Sequence, residues 1–213
     1  MSTAARKAVQ HRDEADVEFN RIVAFSDGVF AIAITLLVLA LEVPRDTADL
    51  WQALRGLEDD LIAYALSFAV VGKFWLSHHR FYSGLERFDN TLMGLNLLYL
   101  AWVVLIPFSS ELLGEFGSDR TSTIVYAANM AGASATFLVQ ILYAYGRGLV
   151  KPEALPMERR FAGPANFMFV GIFLASIGVA FVSVEAAQLM WLTVFLVGHR
   201  IADGLERLFR RGA

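Results

Sequence analysis

Residues 21–44, RIVAFSDGVFAIAITLLVLALEVP, form an apolar run long enough to cross a bilayer as one helix, with Ser26 and Asp27 set into its first turns. About 20 apolar residues span the hydrocarbon core, and an ionisable side chain inside such a span is costly enough to be read as functional. Asp27 therefore has to be explained, and Pro44 closes the helix at its far end.

Five further apolar runs of roughly membrane length follow, at Leu57–Ser77, Leu92–Phe108, Thr123–Tyr145, Pro164–Val184 and Ala187–Ala202. The chain is 56% hydrophobic and only 18% charged, with a mean hydropathy of +0.51, which excludes an ordinary soluble domain. The expected fold is all-α with six membrane spans: residues 1–20 a polar cytoplasmic segment, 21–204 the transmembrane domain and 205–213 a cytoplasmic tail. Six spans place both ends on one side. Of the 18 Lys and Arg residues, 15 then fall on the side of the termini and only Arg45, Arg55 and Arg120 on the other, so both termini are expected in the cytoplasm. The polar start has no signal-peptide core.

Segment Thr47–Leu57 places Leu50, Trp51, Leu54 and Leu57 at helical spacing, which predicts an interfacial helix or an extension of the second span. An internal echo pairs His79-Arg80 and Gly84-Leu85-Glu86-Arg87 with His199-Arg200 and Gly204-Leu205-Glu206-Arg207, both at the inner exit of an even-numbered span. A three-plus-three repeat would pair the second span with the fifth, so the echo is read as two similar basic helix ends.

At 100° per residue with Ile32 at zero, Gly28 lies at about −40°, Thr35 at about −60°, Leu36 at about +40°, Leu39 at about −20° and Val43 at about +20°. They form one narrow stripe. Ser26 at about +120° and Asp27 at about −140° point away from it, so the helix has an aliphatic face and a polar foot. Facing lipid, the stripe is ordinary; gathered around an axis by several copies, it is a constriction of the dewetting kind that gates channels. Arg21 sits six positions before Asp27, poor geometry for an intrahelical pair, so a partner is expected from the second span: Lys73, His78, His79 or Arg80, with Trp75 able to donate one hydrogen bond. Such a network fixes helix packing, and through packing the position of the stripe.

Arg21, Phe25, Ser26 and Asp27 make the pattern R-x-x-x-F-S-D, and with Trp75-Leu76-Ser77-His78-His79-Arg80 it resembles the transmembrane protein 175 family of potassium channels, in its prokaryotic six-span branch. The resemblance implies a homotetramer in the cell membrane whose first helices line a central pore, with K+ as the permeant ion. It implies a tightest ring at Ile32, flanking apolar layers at Leu36 and Leu39, and a hydroxyl ring at Thr35 that contributes to cation preference. No TVGYG-like carbonyl filter occurs, so the expected preference for K+ over Na+ is modest. Glu42, with Glu58, Asp59 and Asp60, is a candidate acidic outer mouth or simply solvated helix-end charge.

The alternative is a proton-coupled or proton-conducting transporter using Asp27 with His78 or His79. An enzyme is not expected: the four histidines include no H-E-x-x-H pair, and G-x-S-x-G is absent. The chain has no cysteine, and no cofactor or resident metal is implied. The partners expected are lipids and further copies of the chain, with no nucleic acid. Small residues in the fourth and fifth spans, such as Ala127, Ala128, Ala131, Gly132, Ala133, Gly171 and Gly178, are expected to serve packing within one subunit.

Overall fold

The computed structural model describes residues 3–41, 44 and 49–193. They form helices α1 (Thr3–Leu36), α2 (Leu50–Arg55), α3 (Glu58–Ser83), α4 (Asn90–Val104), α5 (Ile106–Glu115), α6 (Arg120–Gly146) and α7 (Leu155–Ala180), then a helical segment at 184–193. The only β feature among the described residues is an isolated bridge between Leu85 and Val150. Four segments are long and apolar enough to cross a membrane: Val17–Ala40, Asp60–Ser83, Asn90–Glu115 and Arg120–Gly146. Phe167–Ala180 is a shorter apolar helix. The end of the expected sixth span, the second half of the internal echo, Glu42 and Val43 lie outside the described residues.

Helix α1 is longer than its apolar run, because the polar start of the chain is helical from Thr3 and continuous with the span. Its far end tightens into a 3-10 turn, Leu37–Ala40, and Leu41 is already extended. The segment before α3 is a separate short helix. Asp49 caps α2 by accepting from the backbone N–H groups of Trp51 at 3.0 Å and Gln52 at 3.1 Å, satisfying donors that a helix start leaves open. Leu50, Trp51 and Leu54 of α2 are exposed, and the Arg55 guanidinium stands 5.0 Å from the Trp51 ring centre.

The third apolar run extends beyond its expected end at Phe108, to Glu115, and is broken at Leu105. Pro107, in the first turn of α5, is the physical cause: it carries no N–H for the preceding turn and disfavours continued helix just before it. The break brings Ser109 inward, where its hydroxyl accepts from Asn129 of α6 at 2.9 Å. Ser110, beside it, meets Ser67 of α3.

Successive spans alternate in direction. At one end Phe19 stacks on Tyr82 at 6.4 Å between ring centres and meets Phe88 at 5.9 Å, joining α1, the end of α3 and the start of α4. The loop after α3 pairs there with the loop after α6: Glu86 N–H donates to Leu149 carbonyl at 2.8 Å, and Lys151 N–H to Gly84 carbonyl at 2.9 Å. Gly148, at φ 63°, makes that loop's turn in the region glycine favours. Asp89 caps α4 there, accepting from Leu92 N–H and from the Tyr143 hydroxyl, each at 2.8 Å. Partial desolvation opposes ionisation of its carboxyl, but these bonds and the nearby Arg147 prevail and hold it below the usual carboxylate range. At the opposite end Gln188 donates to Gly117 carbonyl at 2.7 Å and Thr123 hydroxyl at 3.0 Å, tying the last described helix to the start of α6.

Helix α6 is the most enclosed element, packing against α4, α5 and α7. Its Ala127, Ala131 and Ala133 are buried, and Gly132 lies against the Trp102 indole. A Cβ at Gly132 would stand 2.6 Å from one Trp102 ring carbon and 2.8 Å from two others. Gly132→Ala is therefore expected to destabilise despite the better helix propensity of Ala, with overpacking of about 1–3 kcal/mol outweighing a gain of at most about 1 kcal/mol. Thermal unfolding of the purified protein in detergent should show a fall of several degrees; an unchanged or raised midpoint would mean that the indole moves freely.

Candidate functional site

Two faces of α1 carry the site. Ser26, Phe30, Ala33 and Leu37 are all at most 3% exposed and recur at positions i, i+4, i+7 and i+11, the spacing of one helical face turned into the bundle. The opposite face is uncovered within the chain: Ile32 is 60% exposed, Leu36 40% and Leu39 73%, with Phe25, Gly28 and Thr35 exposed alongside. The Thr35 hydroxyl donates to the Ile32 carbonyl at 2.8 Å, which uses its hydrogen and leaves the oxygen free to accept. The 3-10 turn corrects the uniform 100° projection. At three residues per turn, Leu39 stacks above Leu36 and does not drift toward Thr35. The described stripe ends there, since the chain leaves the helix at Leu41.

The polar foot forms two separate connections to α3. In one, Trp75 Nε1–H donates to Asp27 Oδ1 at 2.8 Å. In the other, His78 Nε2–H donates to Asn96 Oδ1 at 2.9 Å, Asn96 Nδ2–H donates to Ser26 Oγ at 2.9 Å, and Ser26 donates to Ile22 carbonyl at 2.9 Å. Trp75 and His78 are three residues apart on α3, so they share a face; Trp75 bonds Asp27 directly, and His78 reaches the adjacent Ser26 through Asn96 of α4. His78 is fully buried between aromatic rings, Tyr82 at 4.0 Å and 19° between planes, and Tyr99 at 5.8 Å and 4°. His79 is exposed and lies 5.7 Å from the Trp75 ring.

Several candidate residues fall elsewhere. Arg21 and Phe25 line a surface groove of about 310 Å³ between α1 and α4, with Met93, Asn96 and Leu97, so they border the cluster at Asn96 without bonding to His78. Lys73 lies ten residues before the end of α3, about 15 Å along its axis, so it is not at the inner rim. It turns away from Asp27, with Nζ 4.1 Å from the Phe169 ring centre of α7. Arg80 is exposed near the end of α3, and Glu42 lies outside the described residues.

Asn96 is the central residue that sequence reading missed. Its signal was present: one amide in the apolar stretch Leu95-Asn96-Leu97-Leu98, where a polar side chain demands an internal partner. Chemically the cluster is a clamp. Every donor along His78, Asn96 and Ser26 points toward α1, and a neutral amide at the centre does not exchange a proton as a carboxylate or water does. Among the described residues no group of three or more His, Asp or Glu side chains is placed to hold a metal ion.

The arrangement defines a helical membrane protein whose first span is pinned by a buried polar foot and presents a bare apolar face outward. The family described as endosomal/lysosomal potassium channel TMEM175 matches residues 21–107, the part that contains both the foot and the stripe. A potassium channel of Streptomyces collinus is 36% identical over 179 residues, covering 78% of this chain and 84% of that one. The crystal structure of a lysosomal potassium-selective channel TMEM175 homolog from Chamaesiphon minutus superposes with a TM-score of 0.72 at 30% identity, covering 87% of this chain and 97% of that one. An endosomal/lysosomal proton channel TMEM175 of Gallus gallus is 30% identical over 143 residues, 55% of this chain and 28% of that longer protein. The chain belongs to the TMEM175 family.

Proposed function

We propose that this protein is a potassium-permeable cation channel, a homotetramer of six-span subunits in the cell membrane with both termini cytoplasmic, and not an enzyme. The observation that carries this reading is the uncovered face of α1, an unbroken stripe of Ile32, Leu36 and Leu39 opposite a buried polar foot. Four such faces around an axis enclose a pore whose narrowest layers are apolar. The names of the bacterial relative and of the solved homolog, both potassium channels, support the same reading.

A ring of aliphatic side chains offers no ligand oxygens, so it acts through dewetting and width and not through coordination. An ion crosses only where the ring widens enough to keep water around it, or where partial dehydration is tolerated. K+ loses water more easily than Na+, which gives a modest preference. Thr35, with its hydrogen already donated to Ile32 carbonyl, turns oxygen toward the axis and supplies a weak cation ligand beside the constriction. Thr35→Ala is expected to lower the permeability ratio of K+ to Na+ while leaving the protein folded, because the lost bond is local and exposed. The check is the shift in reversal potential under bi-ionic conditions.

The second reading is a proton-coupled or proton-conducting transporter, and the name of the Gallus gallus relative, a proton channel, favours its conducting form. It would need Asp27 and a histidine to share a relay: Asp27 is held by Trp75 and His78 by an amide, which leaves the exposed His79 beside the Trp75 ring as the histidine for it. Planar-bilayer recording of the purified protein with K+ and Na+ on opposite sides, paired with a mass measurement of the oligomer, separates the possibilities. Unitary cation currents from a tetramer are expected. A monomer without cation current overturns the channel reading, and a flux carried by protons alone replaces it with the second.

A further inference from the structure

Away from the α1 stripe, a cavity of about 250 Å³ lies among α3, α5, α6, α7 and the helical segment 184–193. Its wall is mostly apolar, with Leu66 and Val70 on one side and Phe169 and Phe173 on the other. Leu66 is 46% exposed and Leu192 47%, so the cavity opens sideways, where the surrounding medium is lipid.

Five of the polar side chains on the wall are committed. Ser67 and Ser110 bond each other, Trp191 donates to Ser176 at 3.0 Å, and Gln188 donates to Gly117 and Thr123. The Lys73 ammonium lies against the Phe169 ring. Ser134 is the fully buried side chain left over: it lines the cavity, is 1% exposed, and its hydroxyl has no hydrogen-bond partner among the described residues, with Ser77 and Tyr126 also on the wall. It sits near the middle of α6, about 20 Å from either end of that helix. A buried hydroxyl left unpaired costs roughly 1–3 kcal/mol. Water alone is a poor filling for a space of about eight liquid-water volumes, because each buried water needs two to four polar partners and the wall is mostly apolar. The occupant that fits is therefore mostly hydrocarbon with one neutral group that both donates and accepts.

We propose that this cavity binds a neutral single-chain amphiphile, an aliphatic chain ending in a hydroxyl, with the head group on Ser134 and the chain between Val70, Phe169 and Phe173. The ligand enters from the bilayer past Leu66 and Leu192. The site is separate from the proposed pore face and does not depend on the channel reading.

A photoreactive diazirine analogue of octanol, applied to the purified protein in nanodiscs and mapped by peptide mass spectrometry, tests this. Labelling is expected on α3 and α7 around the cavity, to be competed several-fold by octanol and little by octane or octanoate. Ser134→Ala should weaken competition by octanol while leaving that by octane unchanged. Gly114 lines the cavity in an exposed position with nothing within 4 Å of an added Cβ, so Gly114→Leu should fit the fold, narrow the cavity and reduce labelling. If octane competes as well as octanol, the head-group assignment is wrong. If octanoate competes best and Lys73→Met abolishes it, the site takes an anionic amphiphile instead. Labelling unaffected by Gly114→Leu, or absent from the cavity, overturns the site.

Discussion

Ile32→Asn is expected to raise the open conductance or resting leak by roughly tenfold, the effect of lowering a barrier by about 1.4 kcal/mol. The reason is wetting. In the proposed tetramer four isoleucines meet where no protein ligand faces the ion, and an amide at each corner gives water partners in a layer that otherwise excludes it. The substitution should fold, because Ile32 is 60% exposed in the subunit and leaves the buried face of α1 untouched. Leu36→Asn, one turn on at 40% exposure, should give a smaller rise. Recording both variants under symmetric K+ is the check. Currents unchanged by either substitution would move the conduction path off this face.

Asn96→Leu is expected to cost about 1–3 kcal/mol and to remove most current. It orphans the His78 Nε2–H in a fully buried site where Nδ1 already lacks a partner, and it takes from Ser26 the donor that ties α1 to α4. At about 2–4 °C per kcal/mol for a chain of this size, thermal unfolding in detergent should begin several degrees earlier. The double variant Asn96→Leu with His78→Phe should recover part of that loss, because no buried donor is then left without an acceptor. If the double variant recovers nothing, the loss does not come from the unpaired His78 donor, since Phe keeps a ring against Tyr82. Restored stability without restored current would mean that Asn96 positions the α1 foot beyond holding it together.

The division of α1 into an aliphatic stripe and a polar foot was readable from spacing, since helical periodicity fixes which residues share a face before any neighbour is known. That the foot leans on α3 was also readable, because an aspartate in a membrane helix must meet a polar group at its own depth, and Trp75 was among the few available. Which group meets which was not. Lys73 looked like a cytoplasmic partner in a linear reading, yet two residues along α3 turn a side chain by about 200°, so it faces Phe169 while Trp75 faces Asp27. Asn96 sits in an apolar stretch whose periodicity is weak, so its rotation toward Ser26 and His78 follows only from how α4 packs.

Sequence alone determined that the chain is a helical membrane protein, where its apolar runs lie, and that residues 21–44 hold its distinguishing element, because hydrophobic length, charge asymmetry and side-chain spacing are local quantities. Tertiary structure decided how that element is held: Asp27 on Trp75, Ser26 through Asn96 to His78, α4 broken from α5 at Pro107, and a hydroxyl left alone in the cavity at Ser134. Those depend on the rotation and depth of one helix against another. Rotation and depth are set by the packing of whole faces, which the order of residues along a single helix does not specify.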